Sequence, residues 1–396
     1  MKTVLAISST LNYGSTGRIV ERLGLMAGER GWRCVVAHGP RLTNPSALEH
    51  YCVGSRAEEL VHGGVHSLLL DRHGLGSARA TRRLIDYVRR EVRPDIVHLH
   101  NIHGYYLNYP LLFEYLREAD VPVVWTLHDC WAFTGHCSNS DAIGCERWQE
   151  GCGKCPGAGT YPKALVDRSR ANFALKQRLF TALGDRLTLV PVSEFLAAKV
   201  RKSMLGNCNI QVIHNGIDLD VFRPSAPKAA RQTVLGAAAP WMKEKGLYDF
   251  YELRKLLPRE EWDIVLVGLK PKEIAALPAG IRGLERTEDT AELARLYSAA
   301  TVFVNPTHQD NYPTVDLEAI ACGTPVAAYR TGGVAEAIVP GVGVTEERGD
   351  VLGLAEGVRR VAAECTSAAC RAHAEAHFDA RRCFEAYFRL YERVMR

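Results

Sequence analysis

Short runs of consecutive apolar residues alternate along this chain with longer stretches in which apolar positions recur every three or four residues. The short runs read as strands buried on both faces and the long ones as amphipathic helices, so the alternation predicts an α/β protein with parallel sheets covered on both sides. In the first half, strands are expected at residues 3–7, 32–37, 96–100, 123–127 and 187–192, with helices at 17–29, 78–91 and 161–183. Residues 193–204 read as a further helix, capped by Ser193.

The second half repeats the pattern. Strands are expected at 233–238, 264–268, 301–305 and 325–329, with an amphipathic helix at 289–299 and another opening near Thr314. Residues 225–232 hold one proline, three alanines and no large apolar side chain, which suits a linker. The expected division is therefore 1–224, the linker 225–232, and 233–371. Residues 372–396 form a final helix whose Phe378, Phe384, Tyr387, Phe388 and Tyr391 suit packing back on the first domain.

Composition narrows the class without naming it. At 396 residues the chain exceeds a usual single core, so two domains are the default. An apolar content of 47% with 24% charged residues is that of an ordinary globular protein. The net charge of +4 is spread and not gathered into a stripe, which argues against a nucleic-acid partner. No apolar run reaches the roughly 18 residues of a membrane span, while peripheral contact with a membrane stays compatible. The opening MKTVLAISST runs straight into a glycine-bearing loop, as a first strand does and a signal peptide does not, so a cytoplasmic location is expected. Twelve cysteines in that setting point to metal ligands or buried thiols in preference to disulfides.

Three groups carry candidate chemistry. In the loop and helix of residues 306–321, Asp310 precedes a helix N-terminus and Glu318 follows eight residues later, a layout that would hold an anion at free amides with carboxylates beside it for hydroxyls. The loop of residues 12–18 brings Gly14 and Gly17 to another helix start; it departs from the G-x-G-x-x-G spacing, which argues against NAD. His98, His100, Asn101, His103 and Tyr105 collect at the carboxyl end of one strand and His128 with Asp129 at the next, where open α/β sheets gather ligands. Separately, Cys137, Cys145, Cys152 and Cys155 lie in a polar, glycine-bearing loop. They could close a structural zinc site, or stand as free thiols or a redox pair.

The string from Tyr297 to Gly333, with Asp310, Glu318 and the run Ala321-Cys322-Gly323-Thr324-Pro325-Val326, resembles the acidic signature of retaining family 4 glycosyltransferases, with aspartate in place of the first glutamate. DIVHLHNIHGYYLN, HDCWAFTGHC and IHNGID resemble further segments of that family, the first two those of its colanic-acid fucosyltransferase branch. The resemblance implies a GT-B fold, two Rossmann-like doubly wound domains facing a cleft, and transfer from a UDP- or GDP-sugar to a saccharide or small-molecule acceptor with no catalytic cofactor.

It implies that Lys245 grips the donor diphosphate and that Arg286, Asn311, Tyr312, Pro313, Thr314, Val315 and Glu318 line the nucleotide side. His128 and Asp310 would meet the reacting sugar, and the residues from His98 to Tyr105 would meet the acceptor. Pro240 stands where the family has an arginine, leaving Lys243, helix amides or Arg18 to supply the second charge. Two other readings stay open: a sugar-nucleotide 2-epimerase on the same fold, and a zinc-bearing binding module without catalysis.

Overall fold

A computed structural model gives the structure of the chain and describes every residue but Ala142 and Glu288. The chain forms two compact units, one of residues 1–214 with 384–396 and one of residues 215–383. Among the described residues, the first unit holds strands β1 (Thr3–Leu11), β2 (Arg33–Thr43), β3 (Glu49–Cys52), β4 (Ile96–Leu99), β5 (Val123–Leu127), β6 (Leu187–Pro191) and β7 (Asn209–Ile210). They make one parallel sheet in the order β3-β2-β1-β4-β5-β6-β7. The second unit holds β8 (Gln232–Ala237), β9 (Trp262–Val267), β10 (Ile281–Leu284), β11 (Val302–Asn305), β12 (Val326–Tyr329) and β13 (Gly343–Glu346). These are again parallel, in the order β10-β9-β8-β11-β12-β13. Both units are Rossmann-like, as the alternating pattern predicts.

The central strands are apolar without alternation because both faces are covered. Val4, Leu5, Ala6 and Ile7 of β1 are all buried, with Leu5 opposite Val35 on one side and Val97 on the other. Strands β3, β10 and β13, which the apolar pattern did not announce, are sheet edges with half-exposed residues, so they lack the continuous run that marks a central strand. Strands β1 and β2 extend beyond the expected ends. They pair again past a register shift, with Thr10 opposite Leu42 and Leu11 opposite Thr43.

Two boundaries differ from the sequence reading. Residues 215–224 belong with the second unit, where the Ile217 amide donates to Phe378 O at 2.8 Å and Asn215 Nδ2 donates to Tyr312 O at 3.2 Å. The helix expected over 161–183 spans Ser169–Thr181, because Asp167 turns the chain just before it by accepting from the amide and hydroxyl of Ser169.

The last helix, Ala380–Val394, enters the first unit from Phe384 onward. There Phe388 packs edge-on against Trp32 with centroids 5.7 Å apart, and Arg30 pairs with Glu385. No helix of the described residues is long and apolar enough to cross a membrane.

Candidate active site

In the second unit the strand order reverses between β8 and β11, so the loops leaving their carboxyl ends splay apart and leave room for a ligand. Those loops carry Lys245 and Asp310. Lys245 ends a single tight turn, Lys243–Lys245, and Gly246 follows in the left-handed region at φ 74°. A Cβ at Gly246 would stand 2.1 Å from the carbonyl oxygen of Pro306, so only glycine lets the two loops close on each other. They are then stitched: the Glu244 carbonyl accepts from the His308 amide at 2.8 Å and from Thr307 Oγ1 at 3.2 Å.

On this frame Lys245 Nζ donates to Asp310 Oδ2 at 2.6 Å, while the Asn311 amide donates to Asp310 Oδ1 at 2.9 Å. Burial works against the ammonium charge, but the facing carboxylate outweighs it and holds the Lys245 pKa above its ordinary value. The side chains keep 33% and 20% of their exposure, so the pair opens to solvent.

Just beyond, the helix Thr314–Ala321 begins after Pro313, whose side chain offers its first amides no cap. Glu318 is buried on its second turn and accepts from Tyr297 OH at 3.1 Å. Asp316 is the residue the sequence reading missed. Fully buried, it accepts from Asn305 Nδ2 at 2.9 Å through Oδ1, whereas Oδ2 has no partner among the described residues. Burial, with the nearby Asp310 and Glu318 charges, pushes its carboxyl well above the carboxylate range. Asn311 and Tyr312 are buried beside it and Thr314 and Val315 half-buried. Arg286 stands exposed past β10, an edge strand separated from β11 by β9 and β8. Lys243 is exposed on the same turn as Lys245.

In the first unit the order reverses between β1 and β4. After β1 comes the helix Gly14–Glu29; a Cβ at Gly17 would press to 2.8 Å from Thr10 Oγ1, so Gly17 serves helix–strand packing, while Gly14 faces open space at φ 64°. After β4 and β5 the histidines divide by role. The His98 ring sits between Thr126 Oγ1 at 2.8 Å and Tyr391 OH at 2.6 Å, and Thr126 in turn meets Tyr387 OH at 2.9 Å. Both ring nitrogens are thus spent on the core, and burial lowers its pKa to about 3. Against the expectation that His98 faces an acceptor, its ring packs in the core beside His100, with centroids 4.0 Å apart, and against Tyr387 and Tyr391.

His100 is buried with Nδ1 3.1 Å from His128 Nε2 and stacks on that ring. Burial lowers the His128 pKa to about 4 against the opposing pull of Asp129. His103 Nε2 lies 2.8 Å from Asp129 Oδ2, and its Nδ1 lies 3.4 Å from Tyr161 OH. Asp129 is further fixed by the Trp131 amide at 2.9 Å, and despite burial its charged form is favoured by His103. Tyr105, at φ 72°, sets its ring 4.9 Å from that of His73. Asn101 is half-buried, and its backbone carbonyl accepts from Tyr106 OH at 3.0 Å. Asp129 stands in the group at the strand end where the sequence placed it with His128, whereas Tyr161 and His73 were not singled out from the sequence as members.

The cysteine loop is ordered by hydrogen bonds. The Gly135 amide donates to Cys152 Sγ at 3.1 Å, and buried Lys176 donates to the carbonyls of Trp131 at 2.6 Å and Thr134 at 3.0 Å. Cys137 is buried and Cys145, Cys152 and Cys155 half-buried, all as thiols. Among the described residues no group of three or more His, Cys, Asp or Glu side chains converges as a metal would require.

A family model described as Glycosyltransferase Family 4 matches residues 16–221, over half of the chain, and one described as Glycosyl transferases group 1 matches residues 231–364. The chain belongs to glycosyltransferase family 4. It is 27% identical over 282 residues to the putative colanic acid biosynthesis glycosyl transferase WcaC of Escherichia coli, covering 68% of each chain. A D-inositol 3-phosphate glycosyltransferase of Geodermatophilus obscurus is 34% identical over 195 residues, which span 42% of this chain and 43% of that one.

Among solved structures, sucrose-phosphate synthase of Thermosynechococcus elongatus superposes with a TM-score of 0.71 at 18% identity, over 100% of this chain and 99% of the other. HepE of Anabaena, solved with UDP-glucose, gives 0.65 at 14% identity, over 99% and 100%. The fold of this family 4 glycosyltransferase is therefore GT-B. Both switch points of the glycosyltransferase carry its polar groups: an ammonium-carboxylate pair in one unit and a histidine-aspartate pair in the other.

Proposed function

We propose that this glycosyltransferase is a retaining enzyme that moves a sugar from a nucleoside diphosphate sugar, UDP- or GDP-linked, to a saccharide or small-molecule acceptor in polysaccharide or glycoconjugate synthesis. The observation that carries the reading is the Lys245–Asp310 pair at the switch point of the second sheet, beside a helix N-terminus and buried Glu318. Lys245 and the helix amides would hold the diphosphate and stabilise its charge as it leaves, the part a divalent cation plays elsewhere. Glu318, oriented by Tyr297, would accept from ribose hydroxyls, and Asp310 from the sugar. Arg286 is assigned to the base, and Gly14 and Gly17 to a close backbone approach.

The leaving diphosphate oxygen takes the acceptor proton on the face it departs from, so no protein nucleophile is needed. His128 is proposed to act on the reacting sugar; His100, Asn101, His103 and Tyr105 are proposed for the acceptor. HepE, solved with UDP and UDP-glucose, and WcaC, named for colanic acid, support the donor class and the biosynthetic setting by analogy. For the cysteine loop we propose a structural zinc that draws the four thiols together on binding, supported by the amide already donating to Cys152 Sγ.

Thermal shift with UDP, GDP, ADP and TDP tests the donor assignment, since a ligand at about a hundred times its Kd adds about 2.7 kcal/mol. Failure of all four to raise the midpoint overturns it. Incubation of the responding sugar nucleotide alone separates transfer from epimerisation, which would return an epimerised sugar without any acceptor.

A further inference from the structure

In a surface helix the apolar stripe normally faces the core. The continuous helical segment formed by Arg56–Val61 and His62–Leu69 is the reverse. Its second part is wound wide, with about 4.4 residues per turn, so positions four and five apart align along one side. Leu60, Val61, Val65, Leu69 and Leu70 recur at that spacing and are 72%, 54%, 43%, 48% and 41% exposed, while His62 and Ser67 on the other side are buried. His62 is locked there: its Nε2 accepts from the amides of Gly74 at 3.1 Å and Gly76 at 3.3 Å, and its Nδ1 lies 2.9 Å from Ser77 Oγ. Hence the segment cannot roll over to bury its apolar side.

A second segment extends the same patch. The Leu165 amide donates to the Leu68 carbonyl at 2.8 Å, which brings the 65% exposed Leu165 and 45% exposed Val166 beside the stripe. Together with Tyr161, these residues make up over half of the exposed large apolar side chains of the described chain. Contiguous apolar surface of this kind marks an interaction site.

Charge says what covers it. Arg72, Lys163 and Arg168 rim the patch, all exposed and all without a carboxylate partner among the described residues; the Arg168 amide on Asp71 Oδ2 at 2.7 Å fixes the rim's position. Of the nearby acids, Glu58 is paired with Arg83, and Asp167 and Glu59 are outnumbered by the three cations. Tyr161 stands at the edge, 46% exposed, with its hydroxyl turned inward to His103.

We propose that the patch of Leu60, Val65, Leu69, Leu165 and Val166, rimmed by Arg72, Lys163 and Arg168, seats the first unit on an anionic lipid bilayer. The bilayer would then lie next to the His103–Tyr161 group.

Flotation of the full chain with vesicles of phosphatidylcholine alone, or with phosphatidylglycerol added, tests this. The expected result is binding to the anionic vesicles that weakens by about tenfold or more in L69S/L165S and in K163E/R168E, with high salt acting like the charge reversal. Thermal midpoints of both double variants should match the parent, because the substituted side chains are exposed. Absence of binding, equal binding to the neutral vesicles, or retained binding in both variants overturns the proposal. So does a dimer by light scattering that L69S/L165S dissociates while vesicle binding is absent, since the patch would then be a subunit interface.

Discussion

Lys245 Nζ lies 2.6 Å from Asp310 Oδ2, and a glycine contact sets each loop: Gly246, next to Lys245, against Pro306, and Gly332, past β12, whose Cβ would stand 1.7 Å from the Asp310 carbonyl oxygen. The two side chains are thus fixed by backbone packing and not by their attraction alone. Their substitutions should separate. We predict that Lys245→Ala weakens binding of both nucleoside diphosphate and intact donor, whereas Asp310→Asn spares diphosphate binding and lowers kcat, because its contact matters most as the sugar distorts. Calorimetry with both ligands reads the difference; equal, small effects would overturn the assignment.

Glu318→Gln is expected to weaken diphosphate binding by about 1 to 3 kcal/mol, the range of a hydrogen bond to a charged group. Tyr297→Phe should do the same to a lesser degree, because it removes the phenol that orients the carboxylate at 3.1 Å. Unchanged calorimetric affinity in both variants would remove Glu318 from the nucleotide site.

The His103–Asp129 pair is a prediction about the acceptor. Asp129→Asn should leave donor affinity as it was, raise the acceptor KM and reduce kcat, since the His103 ring loses the carboxylate 2.8 Å away that orients it. Loss of donor affinity alone would place the pair elsewhere in the chemistry.

Acid should destabilise the first unit through its buried histidines. Burial lowers the pKa of His62 and His98 to about 3 and of His128 to about 4, all below the value of 6.5 they regain on unfolding. Below 6.5 the unfolded chain binds protons that the native chain does not, so stability falls as pH drops through that window, by about 1.4 kcal/mol per pH unit for each group. Urea unfolding between pH about 7 and about 5 should show the slope, and His98→Gln should flatten it. A slope unchanged in the variant would mean that His98 titrates normally.

Metal enters in two opposite ways. Protein purified without chelator is expected to carry about one zinc per chain, with Cys152→Ser lowering stability more than donor affinity. Turnover should survive EDTA added shortly before assay, as no divalent ion is assigned to the diphosphate. Elemental analysis without zinc would sink the first expectation, and activity lost to EDTA but restored by magnesium or manganese the second.

The central strands were legible because burial on both faces leaves an uninterrupted apolar run, as in Val4 to Ile7; β3, β10 and β13 were not, since an edge strand with one wet side carries no such run. Loop chemistry was legible where residue type and helix position act together, as at Asp310 and Glu318. It failed at His98, because the Thr126 and Tyr391 hydroxyls that take up its ring nitrogens lie 28 and 293 residues away in sequence. Asp316 and Tyr161 could not be read at all. One is marked only by total burial and the other by a ring contact 58 residues away in sequence.

The first unit is completed by residues 384–396, whose Tyr387 and Tyr391 hold Thr126 and His98. During synthesis, then, the whole of the second unit emerges from the ribosome before the first has its last core side chains. For that interval the hydroxyl-lined slot beside His98 is missing one wall, and a chain cut short before residue 384 would leave it open.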